Sequence, residues 1–155
     1  MECALPTVRY RCRYDATLTD HSHQVVFKRA QTAAAAKGVR FVAINRRHFP
    51  GSTPFSQDEL NLILSGGEDS QKDVHWDVRG RELASFVGAF AQQNNLPPVS
   101  SDGKAGGIII LGWSVGAALA LSSIASSHTI QDAGLKSALA SHVRALILYG
   151  ISLSL

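Results

Sequence analysis

The chain has little cysteine, methionine or proline: 2, 1 and 5 copies in 155 residues. Cys3 and Cys12 lie close together near the N-terminus, so no disulfide framework staples the remainder. Reduced thiols in an intracellular protein are the expectation, with a local bridge between the two as the alternative. No stretch reaches the roughly 18 consecutive apolar residues of a membrane span, and no apolar run precedes the N-terminal arginines as a secretory signal would. These absences lead to a soluble, cytoplasmic protein as the expectation. The tail Ile151-Ser-Leu-Ser-Leu155 is apolar and abrupt. It has no basic penultimate residue of the peroxisomal kind, and it reads as a cut end.

Charge is also sparse, at 17% of residues, and aromatics make up 7%. The net charge of +3 hides an asymmetry: residues 1–50 hold nine Lys/Arg against three Asp/Glu, or +6, and the rest six against nine, or −3. A basic end can serve nucleic acid or an anionic membrane, but no aromatic-studded basic groove accompanies it. Neither a nucleic-acid partner nor a membrane span is expected.

What the sequence does have is a 45% hydrophobic content, enough for the core of one domain. Thr7 to Tyr14 alternates, with Val8, Tyr10, Cys12 and Tyr14 on one side and Arg9, Arg11 and Arg13 on the other, which predicts a strand with one wet face. Val25 to Lys37 is rich in helix formers and meets Gly38 where a C-terminal cap belongs. Val39 to Ile44 then reads as a buried strand opening into the loop around Pro50-Gly51.

SGGEDS at 65–70 marks another loop. Asp73 or Asp77 is placed to start a helix carrying Leu83, Phe86, Val87 and Phe90 on one face. Asn94-Asn95 and Pro97-Pro98 stop it, and a flexible connection follows to Gly107. Ile108 to Leu111 is a continuous apolar run, Val115 to Ile124 a small-residue helix, His128 to Ser137 a polar spacer, and Val143 to Tyr149 a further buried strand. Helices alternating with apolar strands predict an α/β fold, a mainly parallel sheet with helices on both faces.

The segment that carries chemistry is Gly112-Trp113-Ser114-Val115-Gly116, between IIIL and AALALSSIA. It meets the Gly-x-Ser-x-Gly pattern in a strand-turn-helix context. Glycines two before and two after the serine are expected to relieve collisions in so tight a turn. Ser114 would then stand at the strand tip as a nucleophile, with the backbone N–H of Val115 facing the oxygen that gains charge in acyl transfer. The alternative is a βα turn with an incidental serine. For a nucleotide site, however, no Lys-Ser/Thr follows and the third glycine of a Rossmann fingerprint is missing.

With these residues in place the chain resembles the α/β-hydrolases, and is similar to fungal members of the αβ-hydrolase-1 type, over roughly Val25 to Tyr149. FVAINRRHFPGSTP, residues 41–54, resembles the family's fourth strand and its loop, with Asn45 at the usual Asp position, Arg47 and Ser52 matching, and His48 and Pro50 replacing glycines. The resemblance implies a divergent segment at 1–24 and an incomplete core at 25–155 holding the fourth to sixth strands, with no lid and no C-terminal acid and histidine. It implies hydrolysis of an ester-like small molecule through Ser114, with no cofactor and no metal.

Two departures weigh against turnover. The His-Gly loop that would supply a second oxyanion N–H is not recognisable, and only His21 and His23 stand in its region. The acid and histidine of the family follow the sixth strand, whereas Asp132, His128 and His142 all precede it. His48 is expected to be a polar loop or pocket residue, and His75 and Trp76 carry no spacing argument. A triad member's loss removes several orders of magnitude in rate, so the chain is expected to be inactive or weakly active. A non-catalytic remnant or partner-binding pseudoenzyme is the competing expectation.

Overall fold

The computed structural model describes residues 2–4, 9–13, 27–65 and 68–150, the first two segments and Ser65 as backbone only. The chain forms two compact units, 1–57 and 58–155.

In the first unit, strands β1 (Glu2–Ala4) and β2 (Arg9–Arg13) form an antiparallel pair. Over Arg9–Arg13 the alternating arginine segment is thus extended, as its pattern predicts; Thr7, Val8 and Tyr14 lie outside the described residues. Helix α1 (Lys28–Ala36) carries the alanine run, and the N–H groups of Lys37, Gly38 and Val39 fold back on the Ala34 and Ala35 carbonyls, with Gly38 at φ +67°. This is the glycine-capped helix end that the sequence announces.

The expected six-residue strand at Val39–Ile44 is shorter: β3 is Ala43–Ile44 and pairs antiparallel with β2, Cys12 opposite Ile44. Extending that register backward from Ala43 would need partners beyond Arg13, outside the described residues. The first sheet, ordered β1-β2-β3, is therefore antiparallel, where a mainly parallel sheet is expected from the sequence.

The second unit opens with α2 (Gln57–Ser65), whose first turn carries Asp58 and Glu59. Helix α3 (Asp69–Gln93) starts earlier than Asp73, because Glu68 and Gln71 close a reciprocal capping box. Its buried stripe runs through Arg79, Gly80, Leu83, Ala84, Phe86, Val87, Phe90 and Ala91, at helical spacing. Arg79 is buried as a charge and is neutralised by Glu59 of α2 at 2.7 Å and Glu82 at 3.1 Å, as burying a guanidinium requires.

A loop over residues 94–107 follows, in which the Asp102 carboxylate accepts from the Ser100 hydroxyl (2.6 Å) and the Lys104 N–H (3.0 Å). These bonds hold its carboxyl below the ordinary range. Then come β4 (Ile108–Trp113), α4 (Val115–Ala125), a 3₁₀ turn (Ser126–Thr129), α5 (Ala133–His142) and β5 (Val143–Tyr149). The second half of the region expected as a polar spacer, Ala133 to Ser137, is the start of α5, begun by the Asp132 side chain on the Leu135 N–H.

Strands β4 and β5 run parallel, with Ile109, Leu111 and Trp113 opposite Ala145, Ile147 and Tyr149. The element order is loosely α/β, a small parallel pair among helices. Among the described residues, helices do not cover both faces of this pair. Ile110 and Gly112 are buried on the face under α4, while Ile109, Leu111, Trp113, Ile147 and Tyr149 on the other face are exposed. No described helix is long and apolar enough to cross a membrane.

Helix α4 packs on α3 through small residues, with Ala117, Ala120 and Ser123 almost fully buried. At the crossing, a Cβ on Gly80 would collide with the Ser122 carbonyl. The Ser126 hydroxyl donates to Asp77 at 2.6 Å and ties the end of α4 to the same helix. Gly80→Ala should therefore lower stability by about 1–3 kcal/mol despite the better helix propensity of alanine, measured by urea unfolding; a gain in stability would refute this crossing.

Candidate functional site

Ser114 alone makes the reversal between β4 and α4, with φ +54° and ψ −128°. Such a backbone is rare for a residue bearing a side chain and costs on the order of 1–3 kcal/mol. Two main-chain hydrogen bonds hold it. The Ser114 N–H donates to the Tyr149 carbonyl at 3.0 Å, and the Ser114 carbonyl accepts from the Ala117 N–H at 2.8 Å. The residue is exposed, and its side chain does not cap the helix that it precedes.

The flanking glycines have unequal roles. A Cβ at Gly112 would lie 2.5 Å from both the Ala117 Cα and the Gly116 carbonyl oxygen, so only glycine lets the strand and helix approach this closely. A Cβ at Gly116 would meet nothing within 4 Å among the described residues. The expected collision at Gly116 is therefore corrected: it sits in the first turn of α4, where an added Cβ meets open space.

Val115 is the first residue of α4, so its N–H has no acceptor within the helix and lies at the positive end of the helix dipole. Trp113, Val115 and Tyr149 around the turn are 45%, 55% and 68% exposed, which gives Ser114 an apolar rim.

The downstream acid and base candidates are engaged elsewhere. His128 stands beyond the far end of the 11-residue α4, about 16 Å of helix from Ser114, with Nδ1 2.9 Å from the Ala125 carbonyl. Asp132 is the α5 cap. His142 precedes the first residue of β5, which pairs with Ile108. In a parallel pair this is the sheet edge opposite Ser114, about 20 Å along the strands. The His142 ring nitrogens lie 3.1 Å from the Leu96 carbonyl (Nε2) and 2.9 Å from both the Ala138 carbonyl and the Ser141 hydroxyl (Nδ1), an anchoring role.

In the first unit, His48 has φ +70° and accepts the Phe55 N–H on Nδ1 at 3.2 Å, its ring stacked on Phe55. It shapes its own loop at a position whose backbone suits glycine. The neighbouring residues do likewise. Buried Asn45 donates to the Pro50 carbonyl (3.3 Å), Ser52 to the Asn45 carbonyl (3.2 Å) and Arg47 to the Pro54 carbonyl (2.7 Å). His75 stands edge-on to Trp76 near the start of α3. His21 and His23 lie outside the described residues. Among the described residues, no three of His, Cys, Asp and Glu converge as metal ligands would.

Sequence reasoning missed the Tyr149 carbonyl. Its role emerges only from the β4–β5 register, which no local pattern in Val143–Tyr149 encodes. Gly112→Ala is expected to lower stability by about 1–3 kcal/mol, whereas Gly116→Ala should be neutral or gain up to about 1 kcal/mol. Urea unfolding of the two variants checks this, and equal losses would contradict the asymmetry. Compared with protein-family models, curated proteins and solved structures, the chain matches none of them.

Proposed function

We propose that this chain is an α/β-hydrolase-like protein, a partial form of that fold, in which Ser114 is the nucleophile of acyl hydrolysis on an ester-like small molecule. The observation that carries the reading is the backbone at Ser114: an exposed serine at positive φ, between a parallel strand and the N-terminus of a helix. In the reaction the Ser114 hydroxyl oxygen bonds to the ester carbonyl carbon, and the carbonyl electron pair moves to an oxygen facing the Val115 N–H. Collapse expels the alcohol and leaves an acyl-serine, which water then cleaves. No cofactor enters this scheme.

The hydroxyl proton needs an acceptor. Among the described residues downstream of Ser114, His128 and His142 occupy the wrong ends of their elements; with bulk water as the acceptor, turnover is slow. This same placement favours a second reading, a non-catalytic remnant or partner-binding pseudoenzyme. A Rossmann-like nucleotide site has less support, since Gly112 and Gly116 lack the third glycine of that fingerprint.

A fluorophosphonate probe separates the two readings. The expected result is slow, stoichiometric labelling located on Ser114 by peptide mass spectrometry and abolished in Ser114→Ala. A folded protein that stays unlabelled through hours of exposure would favour the non-catalytic reading.

A further inference from the structure

Ser114 is held in its unusual conformation from two sides. The Ala117 N–H bond to its carbonyl is local and belongs to the first turn of α4. The other bond is long-range: the Ser114 N–H reaches the carbonyl of Tyr149, 35 residues later in the chain, at 3.0 Å. It is the last rung of the parallel ladder, belonging to the Trp113–Tyr149 pair, so the last residue of β5 grips the turn just after β4 has ended. The side chain of Ser114 makes no cap bond of its own. A strained φ persists only where its surroundings over-determine it, and on this side the Tyr149 carbonyl is the restraint.

We infer that Tyr149 is a positioning residue for the Ser114 nucleophile, acting through its main-chain carbonyl rather than its phenol ring; this rests on the reading of Ser114 given above. The end of β5 fixes the peptide plane entering Ser114 and so the direction in which the hydroxyl is presented. The ring is 68% exposed and contributes to the apolar rim only.

The test weakens the carbonyl without changing its shape. Glycolic acid in place of Gly150, in the full chain, turns the Tyr149–Gly150 amide into an ester, whose carbonyl is a poorer acceptor. The expected results are amide exchange at Ser114 about five- to ten-fold faster, read by NMR, and a similar fall in the rate of fluorophosphonate labelling. Tyr149→Ala keeps the carbonyl and should leave amide exchange at Ser114 within about two-fold of the parent. Leu139→Ala, in the buried part of α5, lowers the melting temperature without touching the turn. It should leave the labelling rate of the folded protein unchanged.

If the ester chain behaves like Leu139→Ala, losing melting temperature but keeping Ser114 exchange and labelling, the positioning role is overturned. If the parent is never labelled while the ester still releases the Ser114 amide, the nucleophile reading fails and the restraint stands.

Discussion

The second unit depends on one close approach, that of α4 to the end of β4. Gly112 has no Cβ, so the backbone of Ala117 settles directly on the strand. That contact sets the depth at which α4 lies. At this depth Ala117, Ala120 and Ser123 are almost fully buried, and α4 meets α3 at Gly80 with no side chain between the backbones. A helix seated further out would leave these small residues facing gaps, with the dispersion contacts on one side lost. The exposed, strained serine is thus the visible end of a packing arrangement that reaches across to the 25-residue α3.

The same seating leaves the unit one-sided. Ile110 and Gly112 point under α4, while Ile109, Leu111 and Trp113 with Ile147 and Tyr149 form an uncharged, exposed face. Parallel strands are ordinarily covered on both faces, and contiguous apolar surface of this kind raises the tendency to associate. Trp113 and Tyr149 lie at the end of that face beside Ser114. The chemistry proposed for the serine would therefore take place at an apolar margin rather than among charges.

How much of this was legible depended on how local each signal is. The run IIIL followed by Gly-x-Ser-x-Gly and small helix formers placed β4, the turn and α4 to within two residues, because a buried strand and a tight reversal both restrict composition at adjacent positions. Gly38 marked the end of α1 for the same reason. Helix α5 was missed: Ala133–His142 buries a single residue, Leu139, so it lacks a periodic apolar stripe. In α2, Ile63 and Leu64 are exposed, which left its apolar residues no interpretable period. Pairing was the least legible. The antiparallel match of Cys12 with Ile44, the bare sheet face, and the Tyr149 carbonyl on Ser114 arise from contacts distant in sequence. The role assigned to Gly116 from the motif was also wrong in its physical reason, since the strand approaches Ala117 instead.

The central claim is that Ser114 reverses the chain with a positive φ between β4 and α4. The most direct measurement is the intraresidue amide-to-Hα nuclear Overhauser effect of Ser114 in isotopically labelled protein. A positive φ brings these two protons close and gives a strong effect, well above those of Trp113 and Val115 on either side. A weak effect at Ser114, matching its neighbours, would mean an ordinary strand or helix backbone there and would contradict the account.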